Sequence, residues 1–120
     1  MSVDAPGLEV RESAQPGDKL PPHASLLTDL ACAFRLIAEH RHELAGVEIE
    51  VNAMPHGVRI HIPAWGGTGS ARYAAVKRLG QLLRLPQPTI RIGNHADEFS
   101  TGFERWTVYT EVTTTGSAAP

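Results

Sequence analysis

Cysteine is almost absent from the sequence. Cys32 is the only one among 120 residues, so a single chain can form no internal disulfide and no thiolate metal cluster. The chain does not open with a basic segment followed by an apolar run, so we predict no secretory signal. Its most apolar stretch, residues 24–38, is too short to span a bilayer and includes Asp29 and Arg35. We therefore expect a cytoplasmic protein that does not contact membranes.

A strong charge of one sign is also lacking. The formal net charge of −2 gives no general attraction to nucleic acid or to anionic membranes. The hydrophobic fraction of 42% and the charged fraction of 20% are typical of a globular protein. A chain of this length has room for one modest core, so we predict a single domain.

Proline and glycine interrupt the start of the chain. Residues 1–22 contain six of them among scattered charges, and no apolar period survives there. We predict a disordered arm over residues 1–22 and a disordered tail over residues 114–120. The single domain is then predicted to occupy residues 23–113.

The clearest structural signal is a hairpin over residues 46–62. Apolar and polar residues alternate there on both sides of a turn, as in two strands that each bury one face. The apolar positions on this face are Val47, Ile49, Val51, Val58, Ile60 and Ile62. We predict that Val51 lies opposite Val58, with residues 53–56 as the loop.

Two helices flank this hairpin. The first begins near residues 22–25 and ends at Gly46. Its predicted apolar stripe consists of Leu27, Leu30, Phe34 and Ile37, broadened by Leu26, Ala33 and Leu44. The second helix can be capped by Thr68 or Ser70, and Pro86 ends it.

Two further strands complete the predicted fold, at residues 89–92 and 103–112. The order α-β-β-α-β-β predicts the α+β class, with a four-stranded, mainly antiparallel sheet. Both helices are expected to pack on its apolar face. A mixed sheet is the alternative, if the two halves meet through parallel neighbours.

The other face of this sheet should be polar and open. The predicted register places Glu50 opposite Arg59 and Glu48 opposite His61 on it. The candidate binding residues of this face are Arg59, His61, Arg91 and Tyr109. The face also includes Arg105 and Glu111. Such a mixed surface suits a ligand or a partner, although a salt-bridged solvent face is the commoner case.

The second helix carries the strongest nucleic-acid signal. Its cations can follow a phosphate backbone, because no acidic residue compensates them. They are Arg72, Lys77, Arg78 and Arg84. However, they spread around the helix instead of forming one stripe, and no zinc-finger or RNA-binding motif accompanies them. A solvated helix or a contact with an acidic protein is the alternative.

The glycine-rich link at residues 66–70 precedes this helix, a position where backbone N–H groups can bind phosphate. It lacks the lysine of a P-loop and the third glycine of a dinucleotide fingerprint. A flexible link with a helix cap is therefore the simpler interpretation.

No catalytic or metal-binding pattern emerges from the sequence. The six histidines stand without a cysteine or a paired acid at ligand spacing, and nothing local marks a nucleophile. We predict no catalytic residue, no metal and no cofactor. Residues 93–102 form a long predicted loop, and loops of that length often carry function. The candidate residues of this loop are His95, Asp97, Glu98 and Phe99.

Residues 74–83 read Ala-Ala-Val-Lys-Arg-Leu-Gly-Gln-Leu-Leu, and Trp106-Thr107-Val108 lies on the last predicted strand. This pattern resembles small uncharacterised αββαββ proteins that are common in actinomycete genomes and mobile elements. The resemblance covers the chain from the first helix to the last strand and includes no catalytic signature. It implies a bacterial cytoplasmic protein and carries over no functional residue.

The sequence favours a non-enzymatic binding or interaction module, because it specifies a sheet scaffold without a coherent active site. The expected partner is another protein or a second copy of the chain, joined through an unpaired sheet edge. A nucleic-acid-binding accessory protein that uses the second helix is the alternative.

Overall fold

Two α-helices and five strands make up the described part of the chain. The computed structural model describes residues 22–112, with side chains from residue 25. Its elements are α1 (Pro22–Glu39), β1 (Glu50–Met54), β2 (Gly57–Ile62), α2 (Gly69–Leu82), β3 (Thr89–Arg91), β4 (Glu98–Phe103) and β5 (Trp106–Glu111). The predicted tail and nearly all of the predicted arm lie outside the described residues.

The five strands form one mixed sheet in the order β1-β2-β5-β4-β3. β2 and β5 are parallel neighbours, and the other three pairs are antiparallel. The α+β class and the two helices agree with the prediction, but the number of four strands is wrong. The additional strand, β4, occupies half of the predicted loop at residues 93–102. Its inward residues, Phe99 and Thr101, alternate with Ser100 and Gly102. Because serine and glycine are common in loops, this segment was predicted as a loop and not as a strand.

The hairpin of β1 and β2 keeps its predicted faces but not its predicted register. Val51 lies opposite Ile60 instead of Val58. The turn consists of Pro55 and His56 alone, which is shorter than the predicted loop. Because a shift of two positions leaves every side chain on its original face, the apolar residues still point to the core.

The core lies between the sheet and both helices. Its buried apolar residues are Ala33, Leu44, Val58, Ile60, Ile62, Ala75, Val76, Leu79 and Val108. α1 packs over β1 and β2, while α2 packs over β4 and β5. Both helices therefore cover the same face of the sheet, and the central strands β2 and β5 supply much of the buried surface.

α1 turns only part of its predicted stripe to the core: Leu30 and Ile37 pack on it, but Leu27 and Phe34 do not. Ala33 is fully buried, whereas Leu27 and Phe34 are 62% and 58% exposed. Asp29 is buried on the inner side and accepts hydrogen bonds from Arg105 Nε at 2.5 Å and Nη2 at 3.4 Å. Because Arg105 lies in the turn between β4 and β5, and not on the predicted open face, this ion pair fixes the helix against the sheet.

Arg72 is buried between α2 and β5, with only 1% of its surface exposed. Its Nη1 donates to Thr110 Oγ1 and to the Glu111 carbonyl, both at 2.7 Å. Its Nε donates to the Gly67 carbonyl at 3.1 Å. A guanidinium can be buried here because oxygens of the loop and of β5 receive its protons. The expectation that Arg72 lies on the outer side of α2 is therefore wrong.

Candidate binding surface

The polar side of the sheet forms one continuous surface. Strand pairing aligns its central row in the order Glu50, His61, Tyr109, Ser100 and Thr89. We call the open face the surface formed by Glu50, Asn52, Thr89, Arg59, His61, Arg91, Glu98, Ser100, Thr107, Tyr109 and Glu111. Both helices pack on the opposite side, so within residues 22–112 no helix covers it.

His61 lies between two carboxylates on the open face. Its Nδ1 is 2.9 Å from Glu50 Oε1, and its Nε2 is 2.7 Å from Glu111 Oε2. A neutral imidazole has one N–H group, so only the imidazolium form can donate to both carboxylates. The arrangement fixes the ring plane and joins β1, β2 and β5 at their polar side. Sequence reasoning expected Glu48 opposite His61, and the shorter turn explains why Glu50 is there instead.

Tyr109 stacks on His61. The two ring centroids are 4.5 Å apart and the ring planes differ by 11°. The guanidinium carbon of Arg59 lies 5.5 Å from the centroid of the Tyr109 ring. Partial burial raises the pKa of the Tyr109 phenol, and the positive charge and hydrogen bond of Arg59 oppose that rise. The structure therefore brings together three of the four candidate binding residues of the open face.

Arg91 is the fourth candidate binding residue of the open face, and it lies apart from this group on β3. Its Nη2 donates to Glu98 Oε1 at 2.9 Å, and 68% of its side chain is exposed. β4 separates it from Tyr109. Arg91 thus extends the charged surface to the sheet edge without joining the central group.

A shallow cleft of about 230 Å³ adjoins the open face at one end. It forms where the turn between β1 and β2 meets the turn between β4 and β5. Its lining includes Met54, Pro55, His56, Arg59, Glu104 and Thr107. Gly57 is required there, because a Cβ atom at this position would lie 2.1 Å from the Arg105 carbonyl oxygen.

The predicted basic residues of the second helix do not form one surface. Arg72 is buried, as described above. Arg78 donates a hydrogen bond to Glu43. This bond is the main cause of a lowered pKa of the Glu43 carboxyl, and a hydrogen bond with His40 lowers it further. Lys77 and Arg84 are exposed. The candidate nucleic-acid surface therefore keeps two exposed cations, Lys77 and Arg84, that form no ion pair with an acidic residue among residues 22–112.

The glycine-rich link before α2 has a structural explanation. Thr68 Oγ1 accepts a hydrogen bond from the Ala71 backbone N–H at 3.1 Å, as a helix cap does. Gly67 approaches the preceding loop so closely that a Cβ atom would lie 2.6 Å from the Gly46 carbonyl oxygen. The nearest cation, Arg72, donates to the Gly67 carbonyl instead of facing outward.

The four candidate residues at positions 93–102 are not brought together either. Phe99 contacts the ring of Tyr73 on the core side, with centroids 4.9 Å apart. Glu98 lies on the open face, beside Arg91. The Asp97 carbonyl accepts a hydrogen bond from the Val112 backbone N–H at 2.7 Å. His95 is exposed in the remaining part of the loop.

The described residues form neither a metal cluster nor a membrane-spanning helix. Among residues 22–112, no group of three or more His, Cys, Asp or Glu side chains is arranged to hold a metal ion. No helix in the same part of the chain is long and apolar enough to cross a membrane.

Comparison of the chain with protein-family models, with curated proteins and with solved structures finds no match. The resemblance to actinomycete proteins stays a prediction.

Proposed function

We propose that the protein is a non-enzymatic binding module whose open face binds a partner protein. The observation that carries this proposal is the group of Arg59, His61 and Tyr109: two carboxylates hold His61, Tyr109 stacks on His61, and Arg59 lies over the Tyr109 ring. Side chains that are already ordered lose less conformational entropy when a partner binds. Arginine and tyrosine are also among the residues that contribute most at protein interfaces.

The shape of the surface supports a macromolecule as the partner. Sites for small molecules are usually concave and enclose about 300–1,000 Å³. The cleft beside the open face is smaller, at about 230 Å³, and it is shallow. The rest of the open face follows the sheet and offers contacts over a broad area.

The charges on the open face support a protein over a nucleic acid. Glu50, Glu98 and Glu111 lie on the same surface as Arg59 and Arg91. Carboxylates repel a phosphate backbone, whereas a protein surface can place cations against them and anions against the arginines. This mixed pattern also gives the partner a preferred orientation.

Affinity capture with variants of the open face tests the proposal. The tagged protein is used to isolate partners from a native bacterial lysate treated with nuclease, and the affinity of each purified partner is then measured. We expect Arg59→Ala and Tyr109→Ala each to weaken binding by about 30-fold, since truncation of a central interface residue costs about 2 kcal/mol.

Lys77→Ala is the matched control, because Lys77 is exposed on α2 and lies on the other side of the sheet. It should leave the affinity unchanged, and circular dichroism should show that all three variants are folded. A partner that binds wild type, Arg59→Ala and Tyr109→Ala equally well would show that the open face is not the binding surface. Capture that disappears on nuclease treatment would favour the nucleic-acid alternative.

A further inference from the structure

The outer side of α1 carries an apolar line that the core does not use. Leu27 is 62% and Phe34 is 58% exposed, and Ala31 and Ala38 are exposed between and after them. Their spacing of four, three and four residues places them on one side of the helix. We call these four residues the outer stripe. An exposed helix surface of a soluble domain normally carries polar residues at such positions.

The sizes of the residues in the outer stripe alternate. Along the helix they are large, small, large and small: Leu27, Ala31, Phe34 and Ala38. When a second copy of the helix packs in the antiparallel direction, this order is reversed. Leu27 then faces the partner subunit's Ala38, and Ala31 faces the partner subunit's Phe34. Each large side chain meets a small one, so the stripe is complementary to itself about a two-fold axis.

A parallel arrangement does not have this property. It would place Phe34 against the partner subunit's Phe34 and alanine against alanine, which alternates steric crowding with gaps along the contact. In the antiparallel arrangement, an alanine in each layer lets the helix axes approach toward the short end of the usual 8–10 Å range. The spacing of 4-3-4 is also the seam of a two-stranded coiled coil.

The charged residue beside the stripe does not obstruct the antiparallel direction. Arg35 is exposed on one flank of the outer stripe. The proposed axis lies between positions 32 and 33, so the two Arg35 residues are separated by about 7.5 Å along the helices. The nearest residue across the contact is the partner subunit's Thr28, which carries no charge.

We propose that a second copy of this chain binds α1 in the antiparallel direction through the outer stripe. This contact is on a different surface from the open face, so it does not depend on the proposed function. It also differs from the pairing of sheet edges that the sequence suggested. The contact spans about three helical turns, which is small for an obligate dimer, so we expect a weak and reversible association.

Sedimentation velocity on wild type and charged variants tests this proposal over a concentration series up to about 1 mM, the weak end of measurable association. We expect the wild type to form dimers reversibly. Leu27→Glu and Ala38→Lys should each weaken the dimer by about tenfold or more, because each places a charge against an apolar residue. Both substitutions suit the helix, since the new carboxylate lies nearer its N-terminus and the new ammonium group nearer its C-terminus.

An equimolar mixture of Leu27→Glu and Ala38→Lys then tests the direction. In an antiparallel dimer the carboxylate introduced at position 27 of one chain faces the ammonium group introduced at position 38 of the other, so the mixture should recover association. Glu39→Lys is the matched control, because Glu39 is exposed beside Ala38 but outside the stripe; it should dimerise like the wild type. A monomeric wild type, or a dimer insensitive to Leu27→Glu, would overturn the proposal. A mixture that stays monomeric would overturn the antiparallel direction.

Discussion

Each face of the sheet holds one arginine close to one tyrosine. On the covered face the guanidinium carbon of Arg72 lies 5.8 Å from the centroid of the Tyr73 ring. On the open face the corresponding distance between Arg59 and Tyr109 is 5.5 Å. The two contacts are similar, but Arg72 and Tyr73 are 1% and 6% exposed, whereas Arg59 lies at the surface. The surroundings of each pair, and not the pair itself, determine whether it stabilises the fold or remains accessible to a partner.

The largest expected difference between the two faces concerns the arginines. Arg72→Ala leaves Thr110 Oγ1 and the Gly67 and Glu111 carbonyls without a donor that they have in the wild type. Each buried group that loses its partner costs about 1–3 kcal/mol, so we expect a loss of about 3 kcal/mol or more. Arg59→Ala should change the free energy of unfolding by less than about 1 kcal/mol. Urea denaturation measures both.

Arg72→Lys provides an intermediate variant if Arg72→Ala does not fold. Lysine keeps the charge but cannot reproduce the planar set of donors, so its stability should lie between those of the wild type and Arg72→Ala. If Arg72→Ala and Arg59→Ala lowered the free energy of unfolding equally, the proposed difference between the two faces would be wrong.

The second prediction concerns the titration of Tyr109. Burial raises its pKa, so we expect its phenol to ionise above the ordinary value of about 10. In a Tyr73→Phe background Tyr109 is the only tyrosine, and its ionisation can be followed by ultraviolet absorbance. Adding Arg59→Met should raise the pKa further, because it removes the positive charge while keeping most of the side-chain volume.

The raised pKa of Tyr109 makes the stability of the fold depend on pH. The folded state holds the Tyr109 proton more tightly than the unfolded state does. Its contribution to stability is therefore complete below the unfolded-state pKa and is lost as the pH rises through the higher folded-state pKa. A pKa that falls when Arg59 is replaced by Met would show that Arg59 does not act on the phenol as described.

The smallest expected effect is that of Tyr73→Phe. The Tyr73 hydroxyl is buried and has no hydrogen-bond partner among the described residues. Removal of this hydroxyl should leave the free energy of unfolding within about 1 kcal/mol of the wild type, or raise it. Thr110→Val is the matched control, because the Thr110 hydroxyl donates to the Ile62 carbonyl at 2.6 Å and accepts from Arg72.

We expect Thr110→Val to lower the free energy of unfolding by about 1–3 kcal/mol. The Ile62 carbonyl loses its donor from Thr110, and one N–H of Arg72 loses its acceptor. If Tyr73→Phe cost as much as Thr110→Val in the same denaturation experiment, the hydroxyl of Tyr73 would have a partner after all.

Local alternation predicted the faces of the hairpin of β1 and β2 correctly. It could not select the register, because pairing of Val51 with Val58 or with Ile60 buries the same side chains. The difference depends on the turn at Pro55 and His56. For the candidate site this meant that His61 and Tyr109 were expected on one face, while Glu50 was not expected as the neighbour of His61.

Other features depend on tertiary contacts that a linear pattern does not contain. α1 has apolar residues around much of its circumference, so its spacing predicted Phe34 as a core residue although Phe34 is exposed. The burial of Arg72 depends on oxygens that are 38 and 39 positions away along the chain. The local sequence around an arginine on a helix does not reveal such distant partners. Arg72 was therefore predicted to point outward.

The central position of β5 has a consequence for the rate of folding. β5 is the last described strand along the chain, and Thr110 meets Ile62 across a separation of 48 positions. The hairpins of β1 with β2 and of β3 with β4 are local and need only short loops to close. The parallel pairing of β2 with β5 requires closure of a long loop, which carries a larger entropic cost and slows folding. We therefore expect the two halves of the sheet to join late, when β5 pairs with β2.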